Sequence, residues 1–249
     1  IKMAPLVKSF SEDGEFNTKV CVTGQHRRML DQVLEVFDIH PDYDLDLMKE
    51  GQDLYDITSN VLLGLRDVLR DFNPDIVLVH GDTTTSSAAA LAAFYYVRPD
   101  GKYVKIGHIE AGLRTGNVYN PWPEELNRKM TGVIANYHFA PTIDSASNLI
   151  KENIAQKDIL ITGNTVIDAL FLTLDKIKNK MTLRDKIELD ISEQKFVIKK
   201  NRKFLLVTGH RRESFGKKIE NVCKALEILA CSNLCIDIVY AVHPNPKVQ

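Results

Sequence analysis

The stretch of sequence that decides the fold is Ile76–Glu110, which reads IVLVHGDTTTSSAAALAAFYYVRPDGKYVKIGHIE. It begins with Ile76–His80, a continuous apolar run of the kind that is buried on both faces in a parallel sheet. A threonine-rich turn leads into an alanine-rich helix, predicted over Ser86–Tyr96, and Val104–Glu110 is the next strand. A strand, a helix and a second strand in this order predict a βαβ unit with parallel strands.

The same alternation continues on both sides of this unit and predicts a doubly wound α/β architecture with parallel sheets. Towards the amino terminus, apolar spacing predicts one strand, Lys19–Thr23, and the helices Ile1–Phe10, Met29–Phe37 and Asp53–Phe72. Towards the carboxyl terminus, it predicts four strands, Tyr137–Ala140, Ile159–Thr162, Phe204–Thr208 and Ile236–Val242. The helices predicted between them are Pro123–Ala135, Ser145–Glu152, Val166–Lys178 and Ile219–Leu229.

The segment Lys176–Lys203 interrupts this alternation, since it is rich in lysine and lacks clear periodicity. We interpret it as a connection between domains, although a surface helix followed by a loop explains the pattern equally well. The predicted organisation is a Rossmann-like domain over residues 1–178, a linker over 179–203 and the start of a second Rossmann-like domain over 204–249. We expect the chain to be incomplete at both ends, because no strand precedes the first helix and a lone βαβ unit cannot easily bury a core.

Composition narrows the class of protein. The 249 residues carry a formal net charge of −1, which gives no electrostatic reason to expect nucleic acid or an anionic membrane as partner. The longest apolar run, around Ala88–Val97, is too short to span a bilayer. The four cysteines, Cys21, Cys223, Cys231 and Cys235, form no C-x-x-C pair and are expected to be reduced, small buried residues of a cytoplasmic protein without a zinc site.

Polar residues follow the predicted strands at four turns, which is where α/β proteins bind ligands. In the first turn, Asp82 and its neighbouring threonines follow His80. They are explained as a cap on the next helix, but a helix N-terminus also binds anions or substrate hydroxyls.

The second turn carries several charges. Glu110 directly follows an apolar strand, where a carboxylate is costly unless it is paired, and an ion pair with Arg114 is one explanation. Glu124 falls in the first turn of a helix, where the helix dipole alone would stabilise it. Glu125 and Arg128 are explained equally well as an i, i+3 pair on the surface.

The third and fourth turns carry histidine. Gly209, His210 and Arg211 follow a predicted strand and suit a diphosphate, because imidazole, guanidinium and free backbone N–H groups converge there. A solvated basic turn is the alternative. The fourth turn contains His243. No G-x-G-x-x-G sequence follows any strand, which argues against a nicotinamide or flavin cofactor. The pattern therefore indicates an α/β enzyme or binding protein for a phosphorylated small molecule.

Taken together, six stretches resemble the bacterial non-hydrolysing UDP-N-acetylglucosamine 2-epimerase family. They are Thr23–Leu34 (TGQHRRMLDQVL), Asp75–Thr85 (DIVLVHGDTTT), Gly107–Thr115 (GHIEAGLRT), Pro121–Arg128 (PWPEELNR), Ile161–Ala169 (ITGNTVIDA) and Val207–Phe215 (VTGHRRESF). The resemblance implies a type B glycosyltransferase-like fold with the active site between two domains, the second of which binds UDP. It also implies UDP elimination and re-addition without a metal or other cofactor, feeding surface polysaccharide synthesis.

The resemblance also implies roles for individual residues. The catalytic residues would be Asp82, Glu110, Glu124 and His210. The substrate-binding residues would be Lys2, Arg114, Arg211 and Ser214. A second UDP-sugar acting as an activator would contact Gln25, Arg212, Glu213 and His243.

The expected partners are the UDP-sugar substrate, the same UDP-sugar as activator, and a second copy of the chain in a homodimer, with no nucleic acid and no membrane. Two alternatives stay open at this point. One is the hydrolysing epimerase, which releases N-acetylmannosamine and UDP, although the PWPEE and EAGLRT sequences favour the non-hydrolysing kind. The other is a truncated, non-catalytic module that binds sugar nucleotides.

Overall fold

The computed structural model describes residues 1–24, 27–49, 51–193, 196, 199, 201–209, 217–232 and 235–242. Backbone contacts divide the chain into two compact units, Ile1–Asn179 and Lys180–Gln249, and each is described by itself. The predicted linker over 179–203 stays a prediction, but part of that segment, Met181–Glu193, is an α-helix.

The first unit contains six strands: β1 Cys21–Val22, β2 Tyr43–Asp44, β3 Ile76–His80, β4 Lys105–Ile109, β5 Tyr137–Ala140 and β6 Ile159–Ile161. Four of them form a parallel sheet in the order β3–β4–β5–β6, and β1 and β2 form a smaller parallel pair. His80 pairs with Ile109, and Ile109 pairs with Phe139. Because the last residues of neighbouring strands are in register, the loops that follow them meet at one edge of the sheet.

The helices of this unit are α1 Ala4–Glu12, α2 Arg27–Phe37, α3 Leu54–Phe72, α4 Thr84–Tyr95, α5 Glu124–Ile134, α6 Ile143–Lys151 and α7 Thr165–Asn179. A 3-10 turn, Gln156–Asp158, precedes β6. Helix α4 begins two residues earlier than predicted, because the Thr83 side chain accepts a hydrogen bond from the Ser86 N–H and caps the helix. The cap is therefore Thr83, which leaves the Asp82 carboxylate free for another contact.

Helix α4 lies at the centre of the core. Ala88 and Ala92 pack against Val61, Leu65 and Leu69 of α3. On its other side, Ala90 and Ala93 pack in a second cluster with three residues of the sheet layer, Val79, Val104 and Ile106. The alanine-rich middle of α4 is therefore buried between α3 and the sheet, and its small side chains let these two layers approach closely.

The second unit contains α8 Met181–Glu193, β7 Lys203–Gly209, α9 Lys217–Ser232 and β8 Ile236–Val242, with β7 and β8 paired in parallel. The predicted α/β class with Rossmann-like parallel sheets is confirmed. The prediction that the cysteines are buried is wrong. Cys223, Cys231 and Cys235 of this unit are exposed, and Cys21 of the first unit is half-buried. Two strands with one packed helix have few surfaces on which to bury side chains.

Within the described part of the chain, no helix combines the length and the apolar character that crossing a bilayer requires.

Candidate active site

Glu110 is the first residue after β4, and its backbone is unusual. Its φ angle of +64° lies in the left-handed region, which costs a residue other than glycine about 1–2 kcal/mol. Its side chain is 8% exposed, and its Oε2 atom accepts hydrogen bonds of 2.6 Å from Lys2 Nζ and 2.6 Å from Asn164 Nδ2. Backbone strain of this kind is concentrated at functional sites.

These contacts set the charge state of Glu110. Burial raises the pKa of its carboxyl group, but the hydrogen bonds from Lys2 and Asn164 outweigh burial and leave the pKa below its ordinary value. His80 Nε2 lies 3.9 Å from Glu110 Oε2, and burial lowers the pKa of His80 despite the nearby carboxylate. At neutral pH the site therefore holds an ionised Glu110 beside a neutral His80.

Asp82 follows β3 at the same edge of the sheet. Its Oδ2 atom accepts hydrogen bonds from Arg128 Nε at 2.9 Å and from Arg128 Nη2 at 2.7 Å. Its backbone carbonyl accepts a 2.9 Å hydrogen bond from Asn127 Nδ2. The beginning of α5 thus holds the Asp82 turn in place, and the Asp82 side chain keeps 27% of its surface exposed.

Glu125 has a different role from the one expected of a surface pair. It does pair with Arg128, at 2.8 Å from Nη1 to Oε2, but it is completely buried. The loop between β4 and α5 folds over the start of the helix, and its backbone N–H groups at Thr115 and Gly116 donate to the Glu125 carboxylate at 3.2 Å. The prediction of a surface pair is wrong because this loop covers it.

Glu124, the preceding residue, is half-exposed. Among the residues that the structure describes, none donates a hydrogen bond to its carboxylate or forms an ion pair with it. It lies three and four positions before Asn127 and Arg128, so it shares their face of α5, which is the face that contacts Asp82. Glu124 is therefore an unpaired carboxylate next to the Asp82 turn.

Arg114 pairs with Glu152 rather than with Glu110. Its Nε and Nη2 atoms donate to the two Glu152 carboxylate oxygens at 2.9 and 2.7 Å, and only 8% of its side chain is exposed. Two residues earlier, Gly112 has φ +88°, and a Cβ atom there would lie 2.2 Å from the Ser145 carbonyl oxygen. The loop is thus packed tightly against α6, and a substrate-binding role for Arg114 stays a prediction.

His108 lies beneath the site, and the sequence did not single it out. It is fully buried in β4, and its Nε2 atom lies 2.8 Å from the Gly81 carbonyl oxygen. A carbonyl can only accept, so Nε2 carries the proton. His108 therefore holds the turn that presents Asp82, and burial lowers the pKa of His108 to about 4.

We expect His108 to make stability depend on pH. The pKa of His108 falls from 6.5 to about 4 on folding, so between these values the unfolded state binds the proton more readily. Stability is therefore complete above pH 6.5 and is lost as pH falls, by about 2 kcal/mol between pH 7.5 and pH 5. His108→Gln, which can donate to Gly81 without titrating, is expected to lose about 2 kcal/mol less over this interval, as measured by urea unfolding.

The exposed histidine His40 provides the matched control, since His40→Gln makes the same replacement at the surface. Equal losses of stability for His108→Gln and the wild type would contradict the expectation.

The remaining predicted site residues lie outside the described residues. They are His210, Arg211 and Ser214 for catalysis and substrate binding, and Gln25, Arg212, Glu213 and His243 for the activator. Asn164 is not among the residues predicted from the sequence, although it lies in the stretch Ile161–Ala169 that resembles the family. In the described ranges, no three His, Cys, Asp or Glu side chains are placed to hold a metal ion.

The fold and these side chains define a class: a parallel α/β protein that gathers carboxylates at the carboxyl edge of its sheet. A family model described as UDP-N-acetylglucosamine 2-epimerase matches residues 8–249. The chain belongs to this family.

Individual relatives agree with this assignment. The chain is 59% identical to a UDP-N-acetylglucosamine 2-epimerase from Campylobacter jejuni over its whole length, and spans 63% of that protein. It is 53% identical to the corresponding protein of Salmonella typhimurium, again over its whole length, and spans 64% of it. A crystal structure of UDP-GlcNAc 2-epimerase from Neisseria meningitidis bound to UDP-GlcNAc superposes with a TM-score of 0.89 at 48% identity, covering 99% of this chain and 64% of that one.

Proposed function

We propose that the protein interconverts UDP-N-acetylglucosamine and UDP-N-acetylmannosamine by eliminating and re-adding UDP. The observation that carries this proposal is the contrast between two carboxylates at one sheet edge. Glu110 is buried and hydrogen-bonded, whereas Glu124 is half-exposed and has no hydrogen-bond or ion-pair partner among the residues that the structure describes. Carboxylates placed in different environments are what acid and base catalysis on opposite faces of a sugar requires. Membership of the family, and a relative crystallised with UDP-GlcNAc, support the same substrate.

The chemistry follows from the substrate. The C2 carbon of the sugar is not adjacent to a carbonyl group, so the C1–O bond must break before the C2 proton is removed. The electron pair of that bond leaves on UDP, and positive charge develops on the ring. A carboxylate then removes the C2 proton to give 2-acetamidoglucal. Protonation of C2 from the other face and attack of UDP on C1 complete the epimerisation. Nearby carboxylates stabilise the positive charge.

In this proposal Asp82, Glu110 and Glu124 serve the sugar. His210, with Arg211 and Ser214, takes up the charge of the departing UDP. Lys2, which contacts Glu110 in this structure, contributes a cation on the sugar side.

Incubation of the intact protein with UDP-N-acetylglucosamine in heavy water tests the proposal. Because the C2 proton exchanges with solvent through the base, we expect UDP-N-acetylmannosamine that carries deuterium at C2. Mass spectrometry and proton NMR of the products provide the measurement. Free N-acetylmannosamine with UDP would instead identify hydrolysis, and unchanged substrate with bound UDP-sugar would identify a binding module.

We further infer, on the basis of the family, a cytoplasmic homodimer that supplies surface polysaccharide synthesis. The same UDP-sugar would act as an activator through Gln25, Arg212, Glu213 and His243. Light scattering of the purified protein tests the dimer. Sigmoidal dependence of the reverse reaction on added UDP-N-acetylglucosamine tests the activator.

A further inference from the structure

We infer that Asn164 is a positioning residue for Glu110, and that its amide determines which carboxylate oxygen faces the substrate. The inference rests on the proposed function, because it assigns Asn164 a part in the same reaction. Asn164 stands between β6 and α7, at the sheet edge to which β4 delivers Glu110.

Two neighbours fix the orientation of the Asn164 amide. Its Oδ1 atom accepts a 3.1 Å hydrogen bond from the Val166 N–H, in the first turn of α7. Its Nδ2 atom donates to Glu110 Oε2 at 2.6 Å. A backbone donor on one side and a carboxylate acceptor on the other leave only one assignment of oxygen and nitrogen. The start of α7 thus aims the donor at Glu110.

Both hydrogen bonds to Glu110 end on the same oxygen. Lys2 Nζ also donates to Oε2, and the His80 ring approaches this oxygen at 3.9 Å. Among the described residues, Oε1 accepts no hydrogen bond, and a Cβ atom built at Gly81 would lie 3.8 Å from it. The contacts therefore hold Oε2 and leave Oε1 to exchange a proton with the substrate.

Asn164 contributes what Lys2 does not. The Lys2 side chain is 35% exposed, and a lysine ammonium is a flexible point charge with rotatable donors. The Asn164 amide is planar and anchored to a helix start, so it sets direction as well as charge. A precise hydrogen bond of this kind pre-organises a catalytic group.

The competing explanation is that Asn164 merely caps α7. Asn164→Asp separates the two roles, because aspartate has the same shape and keeps an oxygen for the Val166 N–H. It replaces the donor to Glu110 with a second carboxylate, which disfavours ionisation of Glu110. Within the part of the chain that the structure describes, Lys2 and His80 are the other charged or titratable groups that face this carboxylate, and both stay unchanged in the variant.

The experiment compares the pH dependence of kcat/KM for wild type and Asn164→Asp in the intact protein. We expect the acidic limb of the kcat/KM profile to lie about one pH unit higher in the variant than in the wild type. At neutral pH, kcat should be reduced about tenfold and KM should be nearly unchanged. Asn164→Ser keeps a capping oxygen but loses the amide N–H group that reaches Glu110, and should move the limb the same way by less. It provides the test if the aspartate variant does not fold.

Thr142→Ala is the matched control, since Thr142 caps α6 through the Ser145 N–H and has no contact with Glu110. It should lower the melting temperature without moving the acid limb. If the wild type is active but the acidic limb does not move in the Asn164 variants, the inference about Asn164 is overturned and the proposed function stands. A wild type without epimerase activity would overturn the proposed function instead. Carbon-13 NMR titration of Glu110, assigned with Glu110→Gln, would then still report whether Asn164 controls its ionisation.

Discussion

Replacing Glu110 with glutamine is expected to lower kcat by about a thousandfold, while binding of UDP stays within about twofold of wild type. Glutamine has nearly the same shape as glutamate but cannot take or return a proton. The glutamine amide would also face the Lys2 ammonium and the Asn164 amide. In the wild-type protein, both of these groups donate hydrogen bonds to the Glu110 carboxylate. The charge that this site supplies to the sugar is lost, whereas the diphosphate side of the substrate is untouched.

Steady-state kinetics and calorimetric titration with UDP measure the two halves of this expectation. The matched control is Glu152→Gln, which removes an ion-paired carboxylate of the same unit that serves Arg114 and Lys129 and is not among the predicted catalytic residues. It should keep kcat within about threefold of wild type. Retention of full turnover by Glu110→Gln would exclude Glu110 as the acid or base.

Much of the fold could be predicted from the sequence, because its long elements have strong periodicity. The bounds of β3, β5 and β8 agree with the predicted ones, and each of the predicted helices is present within a few residues. The strand Tyr43–Asp44 was missed, since two residues show no alternation and the strand exists only by pairing with Cys21–Val22. The helix Met181–Glu193 could not be distinguished from a linker in the sequence, because its apolar residues form no clear stripe.

The contacts within the candidate site could not be predicted from the sequence. The sequence placed Glu110 at a strand end, but its partners, Lys2 and Asn164, lie 108 and 54 positions away in the chain. Local spacing carries no information on such pairs, which is why Arg114, only four residues away, was the natural candidate. His108 was missed because a histidine in an apolar strand looks like part of the core.

Glu124 and Glu125 show this limit most clearly, because they are adjacent and chemically identical. Helical geometry turns successive residues by about 100°, so one carboxylate points to the open edge and the other into the protein. Only the path of the covering loop, whose Thr115 and Gly116 N–H groups donate to Glu125, decides which is buried. Their substitutions should therefore have opposite consequences.

Glu125→Ala is expected to lower the free energy of unfolding by about 3 kcal/mol or more, because it leaves Arg128 and two loop N–H groups without their buried acceptor. Glu124→Ala is expected to change stability by less than about 1 kcal/mol, since only a helix-dipole interaction is lost. Glu124→Ala is expected instead to lower kcat by about a hundredfold or more, because the substitution removes a proposed acid or base.

Urea unfolding of both variants, followed by intrinsic fluorescence and circular dichroism, measures the difference in stability, and kcat at saturating substrate measures the difference in turnover. Similar losses of stability in the two variants would mean that the loop does not depend on Glu125. A Glu124→Ala protein with wild-type turnover would remove Glu124 from the catalytic set and leave Glu110 and Asp82 to supply both acid and base. The pair of variants thus separates the carboxylate that holds the loop in place from the one that we propose acts on the sugar.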